Sequence, residues 1–522
     1  MAYRYGQRRQ GVLFPASIED YVSAEAPVRV YDAIIEALDL VSLGLEIDPH
    51  KVGCPQYDPM AMLKLLVYGC SYGVRSSRKL ERECYNNISF IWLMGSLKPD
   101  HKTIAEFRRK NKKALSKVLS EVARLCLCLD LIEGNTLFVD GSKIRANASI
   151  SNSWSKDRCK RKLKKIDKRI AEILEECEDT DQHETACGSF VKVNDELADQ
   201  EALKAKVQSL LNDIQQQQRP SVNTTDHDCT KIHSRQGNHA GYNGQSVVDE
   251  KHGLIVSCDV VNENSDDYQF ADQINKANEV LGKQCETACG DSGYSNIDEM
   301  EKIDNQNIEV VVPSKRQASG KVPEPFDARN FTYDRENDNY ICPKGNVLPL
   351  KNVERKKRRK VYLAGKKICS ACEHFGTCTT NRLHGRKVTR LLKEDSRREF
   401  ERRYMLPENQ EIYKLRKQKV ELPFGHIKYN LSVSGFLLRG LAGVKAEFSI
   451  MTSCFNIARM LRLLGTEKLI ESLRAVAIPE NNVELSPKIA AKKQAYAKMS
   501  FRILQYSKIR KKPIQSPIAT AA

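Results

Sequence analysis

The hydrophobic period of the sequence changes after about residue 130, and this change restricts the fold more than any other feature. Five short β-rich runs follow it, at NTLFVD (135–140), GQSVVDE (244–250), LIVSCDV (254–260), ETACGD (286–291) and EVVVPS (309–314). Helical periods come after the third and fourth runs, at 266–282 and 295–306. Strands that alternate with helices are typical of a mixed α/β sheet covered by helices. We therefore predict a sheet built from residues 131–150 and 235–315.

Residues 1–130 are predicted to form short helices instead. Asp58 precedes Pro59 and the apolar residues of PMAMLKLLVYG, so a capped helix is expected over about 59–71. Short helices that end in a basic one resemble a helix-turn-helix DNA-binding domain. This is our interpretation of residues 1–130.

The last helix of this part carries its basic residues. Thr103 and Glu106 have the spacing of a capping box, so the helix should begin at Thr103. Arg108, Arg109 and Lys110 lie on it and are the expected DNA contacts. The alternative is a helical bundle whose basic residues form a solvated face.

Two insertions and a tail surround the predicted sheet. Residues 155–220 consist mainly of charged residues and Gln with sparse Leu and Ile, which predicts a helical hairpin with an acidic connection. Residues 316–390 are rich in Lys and Arg and hold four of the cysteines. Helices are expected over 391–475, and 480–522 is interpreted as a basic tail.

The charge of the chain indicates a polyanionic partner. The 522 residues include 84 Lys and Arg against 67 Asp and Glu, which gives a formal net charge of +17. Nucleic acid is the commonest polyanion of the cytosol, so nucleic-acid binding is expected. No run approaches the ~18 apolar residues that a membrane span needs, and the first residues do not resemble a secretory signal. We expect a cytoplasmic protein that does not enter a membrane.

Two aspartates end β-rich runs. Asp140 closes the first run and Asp291 closes the fourth. Carboxylates at the ends of neighbouring strands can share divalent cations, and two ions ~4 Å apart can hold the attacking and leaving oxygens of a phosphodiester. Asp249 and Asp259 also follow predicted strands and are the reserve candidates for the second position. An aspartate in such a place is otherwise an ordinary turn residue.

This chemistry needs a third acid, and Glu421 is the candidate. It stands in YKLRKQKVELPFGHIKYN, seven residues before Lys428. In helical projection Glu421 and Lys428 differ by only about 20°, whereas Arg416 falls about 140° from Glu421. Pro423 would kink such a helix. The alternative is an ordinary exposed charged helix.

These segments resemble a known family. FVDGSKIRA, CGDSGYS and the stretch from Tyr413 to Lys428 are similar, in this order, to the catalytic segments of DDE-type insertion-sequence transposases, which have an RNase H-like core. The nearest resemblance is to the insertion-sequence family numbered 1182. Further matching segments are YDPMAMLKLLVYG, PDHKTIAEFRRKN, HAGYNGQSVVD and FLLRGLAGVKAEFSIMTSCFNIARML, so the resemblance covers roughly residues 10–465. It implies an RNase H-like mixed sheet with flanking helices.

The resemblance also implies an activity and its catalytic acids. Asp140, Asp291 and Glu421 match the three acids of the family and would bind two Mg²⁺ or Mn²⁺ ions. The implied reaction is hydrolysis of phosphodiesters at element ends by metal-activated water, followed by attack of the 3′-OH on target DNA. The implied partners are terminal inverted repeats and target DNA, bound by a homodimer or larger assembly at the bacterial nucleoid. A DNA-binding regulator or domesticated transposase without cleavage activity is the alternative.

A wider branch of the family has a Tyr, Arg, Glu, Lys signature whose basic residues hold DNA phosphates. Tyr413, Arg416, Glu421 and Lys428 resemble this signature. The branch has three residues between Arg and Glu, but this chain has four, and Lys417 has the three-residue spacing instead. Both Arg416 and Lys417 are therefore candidates for the phosphate contact.

One group of cysteines has a metal-like spacing. Cys342 lies in YICPKGN, and Cys369, Cys372 and Cys378 form C-x2-C-x5-C. Four thiolates can hold a tetrahedral Zn²⁺ with no open position, which would make a structural site. His374 could replace one of them, and reduced thiols without metal are the alternative.

Overall fold

The computed structural model describes residues 17–45, 56–181, 189–216, 219–234, 237–320, 324–381 and 383–476. The chain divides into two units, 1–473 and 474–522, and the elements that carry the candidate site belong to the first. The predicted tail at 480–522 lies outside the described residues, as does part of the acidic connection within 155–220. In the described ranges, no helix combines the length and the apolar character that crossing a membrane requires.

The amino-terminal part is helical, as predicted. Its α-helices are α1 Pro27–Ala37, α2 Leu40–Leu43, α3 Pro59–Ser71, α4 Ser77–Asn86, α5 Ile88–Leu93, α6 His101–Lys110, α7 Lys112–Leu115 and α8 Val118–Cys128. The helix expected over 59–71 is confirmed as α3, and the Asp58 carboxylate accepts a hydrogen bond from the Met60 amide (3.0 Å). Pro59 occupies the first turn, where the missing amide donor costs nothing.

The basic helix α6 begins earlier than predicted. The prediction that Thr103 caps it is wrong, because Asp100 precedes the helix and its Oδ1 accepts a hydrogen bond from the Thr103 amide (2.6 Å). Aspartate is a better capping residue than threonine, which explains the outcome. Glu106 pairs with Arg109 (2.6 Å) and Lys110 (3.3 Å) further along the helix rather than reaching back to its start.

The described residues after 130 contain strands and helices. The strands are β1 Thr136–Arg145, β2 Ser153–Ser155, β3 Ser221–Asn223, β4 Thr230–Ser234, β5 Gly237–Asp249, β6 Ile255–Val261, β7 Thr287–Cys289, β8 Glu309–Val311, β9 Thr332–Asp334, β10 Asn339–Ile341, β11 Val347–Glu354, β12 Arg359–Leu363 and β13 Lys387–Leu391. The helices are α9 Lys156–Asp181, α10 Ser189–Gln216, α11 Phe270–Leu281, α12 Ile297–Asp304, α13 Lys315–Ala318, α14 Lys366–Ser370, α15 Glu394–Tyr404, α16 Pro407–Gly425, α17 Leu441–Leu464 and α18 Thr466–Val476. The protein is therefore a mixed α/β protein with several sheets.

The central sheet has an antiparallel part and a parallel part. β5 pairs antiparallel with both β1 and β6, whereas β7 pairs parallel with both β1 and β8. The order is thus β6, β5, β1, β7, β8, and β4 pairs with β5 as well. α11 connects β6 to β7 and α12 connects β7 to β8. The five predicted β-rich runs are confirmed as strands of this sheet. The two predicted helices are confirmed as α11 and α12.

Strand β1 is longer than predicted. Its antiparallel pairing with β5 continues to Arg145, which lies opposite Gly241, whereas its parallel pairing with β7 ends at Phe138. Asp140 therefore lies inside the strand, just beyond the last β7 pair, and not at its end. The cause is the length of β5, whose backbone groups continue to pair with β1 where β7 has stopped.

Helices cover both faces of the central sheet. Phe138 of β1 shares a buried cluster with Tyr404 of α15 and Val420 of α16. Leu137 and Val139 point to the opposite face and belong to the main core, to which Ile274 and Ala277 of α11 contribute. A residue of β1 that shares the face of Phe138 is thus directed toward α16.

The insertion at 155–220 forms a helical hairpin, as predicted. α9 and α10 pack against each other, and β2 pairs with β3 where the two helices join the rest of the chain. The buried residues between them are Cys159, Ile166, Val207, Leu211, Ile214 and Val222. The sparse apolar residues of this segment are therefore the interface of the hairpin.

The basic insertion contains an antiparallel sheet that the sequence did not reveal. Its strand order is β13, β12, β11, β10, β9. Its small core consists of Phe331, Tyr340, Leu348, Tyr362, Ala364 and Val388. These apolar residues are separated by polar stretches, one of which is the basic run RKKRRK at 355–360, so no period-two pattern is evident in the sequence.

Glu447 of α17 joins the amino-terminal helices to the carboxyl-terminal ones. It is buried, and its carboxylate accepts hydrogen bonds from Arg75 Nη1 (2.9 Å) and from the amides of Leu437 (2.9 Å) and Leu438 (2.9 Å). Removing one partner of a buried ion pair leaves the other charge uncompensated. The packing of these two parts therefore depends on Glu447.

We expect Glu447→Ala to lower the free energy of unfolding by about 3–5 kcal/mol, because the largely buried Arg75 guanidinium loses its charge partner. Urea unfolding followed by circular dichroism measures the change. Glu106→Ala is the matched control, since it removes only exposed ion pairs and should change the free energy of unfolding very little. Equal losses in the two variants would show that Glu447 does not hold the parts together.

Candidate active site

Asp140 and Asp291 lie side by side on the central sheet. The parallel register pairs Phe138 of β1 with Cys289 of β7, and continuing it by two residues places Asp140 beside Asp291. Asp291 follows the end of β7, where its Oδ1 accepts a hydrogen bond from the Gly293 amide (2.8 Å). The strand pairing thus brings together two acids that are far apart in sequence.

Arg416 of α16 bridges the two carboxylates. Its Nη2 is 2.8 Å from Asp140 Oδ1 and 3.5 Å from Asp291 Oδ2, and its side chain is only 12% exposed. The Arg416 Nε is buried and has no hydrogen-bond partner in the described part of the chain. An unpaired buried donor costs roughly 1–3 kcal/mol, so this arrangement is not the one that stability alone would favour.

Burial makes the charge of Asp140 costly. It raises the pKa of Asp140 to about 6, against the opposing effect of Arg416 and with a further increase from Asp291. The largely buried Asp140 carboxylate, with a second carboxylate beside it, needs a nearby positive charge to ionise readily. In this structure the guanidinium of Arg416 supplies that charge.

Helix α16 does not end at Pro423. The proline lies inside the helix, and a π-helix over His426–Asn430 follows directly. Its wider turn brings Lys428 to the sheet, where Lys428 Nζ donates a hydrogen bond to Ser142 Oγ (2.8 Å). Ser142 shares a strand face with Asp140, so Lys428 reaches the same side of β1 as Arg416. Such π-helical turns are frequent at functional sites.

Glu421 is not assembled with the two aspartates. It lies between Arg416 and Lys428 along the helix, but its side chain is exposed, next to the buried Val420. Among the described residues it has no hydrogen-bond or ion-pair partner. The structure therefore brings Asp140 and Arg416 together and leaves the third predicted acid on the solvent side of the same helix.

Tyr413 and Lys417 flank the bridge. The half-buried Tyr413 ring packs against Tyr404, with ring centroids 5.2 Å apart. Lys417 is exposed, whereas the neighbouring Arg416 is turned to the carboxylates. Of the two candidates for a phosphate contact, only Lys417 is directed to solvent in this state.

Asp266 lies on the opposite face of β1 and was missed by the sequence reasoning. It accepts hydrogen bonds from Lys143 Nζ (3.1 Å), Asn243 Nδ2 (2.7 Å) and Gln245 Nε2 (2.7 Å). Its charge also contributes to the raised pKa of Asp140. Asp266 therefore fixes polar side chains of β1 and β5 directly behind the candidate site.

Gly141 makes room for this network. A Cβ at Gly141 would lie 2.9 Å from Asp266 Oδ1 and 2.5 Å from Gln245 Nε2, closer than real Cβ atoms approach. The sequence signal for this polar network was the pair of adjacent acids at 266–267. These acids stand at the start of a predicted helix, where acids are common. Only the register of β5 shows that polar residues face them.

The reserve aspartates have structural partners. Asp249 accepts a hydrogen bond from the Gly134 amide (2.7 Å). Asp259 is held between Lys276 (2.6 Å) and Lys445 (2.7 Å). These contacts engage both carboxylates, which leaves Asp291 as the second acid of the candidate site.

Arg108 faces inward, contrary to the expectation that it contacts DNA. Its Nη2 donates a hydrogen bond to the Arg75 carbonyl (2.6 Å) and its Nη1 to Ser77 Oγ (3.3 Å). Burial lowers the pKa of Arg108. Arg109 and Lys110 remain exposed. Arg108 therefore holds α6 against α4, and only the other two are placed to meet a phosphate.

The donor set of Asp140 and Asp291 fits a divalent cation. Carboxylate oxygens are the ligands that Mg²⁺ and Mn²⁺ prefer, and one guanidinium nitrogen already approaches both acids. In the described ranges, no group of three or more His, Cys, Asp or Glu side chains is arranged to hold a metal ion. A bound ion would therefore have to replace the Arg416 guanidinium and gain further oxygen ligands.

The four cysteines singled out in the sequence lie in the basic insertion. Cys342, Cys369, Cys372 and Cys378 line one cavity there, together with His374. All four are free thiols. They belong to a different part of the fold from the carboxylates.

Two families match parts of the chain. The family described as Transposase domain (DUF772) matches residues 16–110, and the family described as Transposase DDE domain matches residues 341–461. Among solved structures, a cryo-EM structure of a piggyBac transposase synaptic complex with hairpin DNA is similar at 9% identity, over 95% of this chain and 87% of that chain, with a TM-score of 0.32. No curated protein matches the sequence.

The first matched range covers α1 to α6, and the second contains α16 with Arg416, Glu421 and Lys428. Both matched families are transposase domains, which supports a DDE transposase of the insertion-sequence type. Asp140 and Asp291 lie outside both matched ranges, so the case for them rests on the geometry of the sheet.

In the metal-free protein we expect Asp140 to titrate near pH 6. Arg416→Gln should raise this pKa, because the carboxylate loses its cation, and Asp291→Asn should lower it, because a neighbouring negative charge is removed. NMR of ¹³C-labelled aspartates measures the titration, with Asp140→Asn for assignment. Lys414→Gln, exposed on the same helix, is the control. An Asp140 pKa that neither variant moves would contradict the bridged arrangement.

Proposed function

We propose that the central sheet and α16 form an RNase H-like catalytic core. The strand order β6, β5, β1, β7, β8 supports this, with its first three strands antiparallel and its last two parallel to β1. The crossover helices α11 and α12 fit the same arrangement. We also propose membership of the insertion-sequence family numbered 1182, on the sequence segments FVDGSKIRA and CGDSGYS.

The proposed catalytic acids are Asp140, Asp291 and Glu421. Two Mg²⁺ or Mn²⁺ ions, when bound, would activate a water molecule and stabilise the leaving oxygen of a phosphodiester. Asp140 and Asp291 would hold them from the sheet, and Glu421 would approach from α16. Arg416, which neutralises the two aspartates in this state, would then be free to contact a DNA phosphate.

Basic and aromatic residues around the acids would position the DNA. Lys428 lies against Ser142 beside Asp140, Lys417 is exposed on α16, and Tyr413 is half-buried one turn before it. Phosphate contacts of this kind fix the orientation of a strand without reading its sequence. They would place the scissile phosphate, and later the target strand, against the carboxylates.

The single observation that carries this proposal is the bridge from Asp140 through Arg416 to Asp291. It gathers the largely buried Asp140, the partly exposed Asp291 and an incompletely paired guanidinium at one place. Perturbed groups arranged in this way are typical of catalytic sites. DNA binding alone gains nothing from buried carboxylates, so a regulator without cleavage activity is not favoured.

We further propose that the protein binds the terminal inverted repeats and the target DNA as a homodimer or larger assembly. An element has two ends, and each chain contributes the Asp140–Asp291 site to one of them. The basic surface of a chain with net charge +17 supports binding of several DNA segments.

Asp140→Asn, Asp291→Asn and Glu421→Gln should each reduce cleavage below roughly a tenth of the wild-type rate. Each removes the charge of a proposed metal ligand and leaves the DNA-positioning residues in place, so binding of end DNA should stay near wild type. The measurement uses purified protein, labelled candidate element ends, Mg²⁺ or Mn²⁺, and a target plasmid.

Glu411→Gln is the matched control for the third acid. Glu411 is exposed on the same helix and, in the part of the chain that the structure describes, its ion pair is with Lys414, so cleavage should be unchanged. If a variant of Asp140, Asp291 or Glu421 still cleaves above roughly a tenth of the wild-type rate, that residue is excluded from catalysis. Loss of cleavage together with loss of end binding would indicate misfolding, which circular dichroism of the same sample detects.

The exposed pair Arg109 and Lys110 is the proposed DNA contact of the amino-terminal helices. Replacing both by Ala should lower the slope of log binding constant against log salt by about two counterion units at most. Arg108→Ala should instead weaken the packing of α6, since Arg108 is buried. A filter-binding titration measures the slope, and an unchanged slope for the double variant would favour the solvated-face alternative.

A further inference from the structure

Four thiols of the basic insertion surround one cavity. The cavity has a volume of about 30 Å³, and Cys342, Cys369, Cys372 and Cys378 line it. A cavity above roughly 15 Å³ admits a guest of the size of a water molecule. The cavity that the four thiols line is therefore large enough for an ion.

Three of the thiols stand at tight turns. The Cys342 amide donates a hydrogen bond to the Asn346 carbonyl (2.9 Å), and the Gly345 amide donates one to the Cys342 carbonyl (2.8 Å). Gly345 has φ +79°, a conformation that favours glycine. The second turn is closed by the Cys372 amide, which donates to the Cys369 carbonyl (3.3 Å). Both turns present their sulfur atoms to the same cavity.

Backbone donors are directed at the sulfur atoms. The Asn346 amide donates a hydrogen bond to Cys342 Sγ (3.3 Å), and the Arg386 amide donates one to Cys369 Sγ (3.2 Å). The Arg386 side chain also donates to the Cys378 carbonyl (2.6 Å), which places a positive charge beside that thiol. Donors of this kind orient a sulfur atom as a metal ligand.

The surrounding sheet has few other means of stabilisation. Three of the cysteines, Cys342, Cys369 and Cys378, pack against the small core of β9 to β13. A unit of fewer than about 70–80 residues seldom has a sufficient core of its own and usually needs a cross-link or a metal. The free thiols form no disulfide, which leaves a metal as the candidate cross-link.

We propose that Cys342, Cys369, Cys372 and Cys378 bind one structural Zn²⁺ ion as four thiolates. Four Zn–S bonds would form and the thiol protons would pass to solvent, which leaves no open position for catalysis. The side chains are not yet arranged as ligands around one point. Binding therefore draws the two turns together, as expected where metal binding and local folding are coupled. This site is independent of the carboxylates.

The test is elemental analysis of the full chain, purified under reducing conditions from cells supplied with zinc. Wild type should carry about one zinc per chain, and Cys372→Ser and Cys378→Ser should lose it. Cys128→Ser is the matched control, because Cys128 is an exposed thiol of α8 outside the insertion. Asp140→Asn should also keep its zinc, which separates this site from the proposed catalytic one.

Two further measurements decide between ligand sets and guard against misfolded variants. Co²⁺ added to metal-depleted wild type should produce the visible absorption of a tetrahedral thiolate complex. His374→Asn should retain zinc, since the histidine lines the cavity but is not one of the four ligands. Zinc absent from wild type, retained by Cys372→Ser or lost from His374→Asn, or a Co²⁺ spectrum without thiolate absorption, would overturn the proposal.

Discussion

Two carboxylates held side by side, one inside strand β1 and one just beyond the end of β7, are the constraint on which the rest of this structure depends. Burial penalises the charge of Asp140, and the nearby Asp291 adds to that penalty, so a positive charge has to lie against both. Arg416 provides it only because α16 packs over β1 and β7. Asn409, near the start of α16, donates a hydrogen bond to Glu309 of β8 (3.0 Å), which fixes the helix to the same sheet.

The elements with a clear local pattern could be predicted from the sequence. The β-rich runs predicted five strands of the central sheet, and the prediction that Asp140 and Asp291 end such runs placed both aspartates close to neighbouring strands. Local capping rules also predicted the start of α3 at Pro59. These features depend on residues that are close to each other in sequence, so the sequence alone predicts them.

Features that depend on distant contacts could not be predicted. In the sequence, Arg108 is one of several basic residues on a helix. Only the packing of α6 against α4 shows that its side chain is directed inward. The role of Asp266 is evident only from the register of β5, which directs Asn243 and Gln245 toward its carboxylate. The helical projection separates Glu421 from Arg416 by about 140°, and the structure agrees, with Arg416 inside and Glu421 exposed. What the projection could not show is the π-helical turn that returns Lys428 to Ser142.

The most direct test of the central claim is a structure of the protein with Mn²⁺ and a DNA element end, in which anomalous scattering locates the metal. We predict a Mn²⁺ ion between the carboxylates of Asp140 and Asp291, with the Arg416 side chain displaced toward a phosphate and Glu421 turned toward the ion. Mn²⁺ bound elsewhere, with Arg416 still bridging the two aspartates in the presence of DNA, would contradict it.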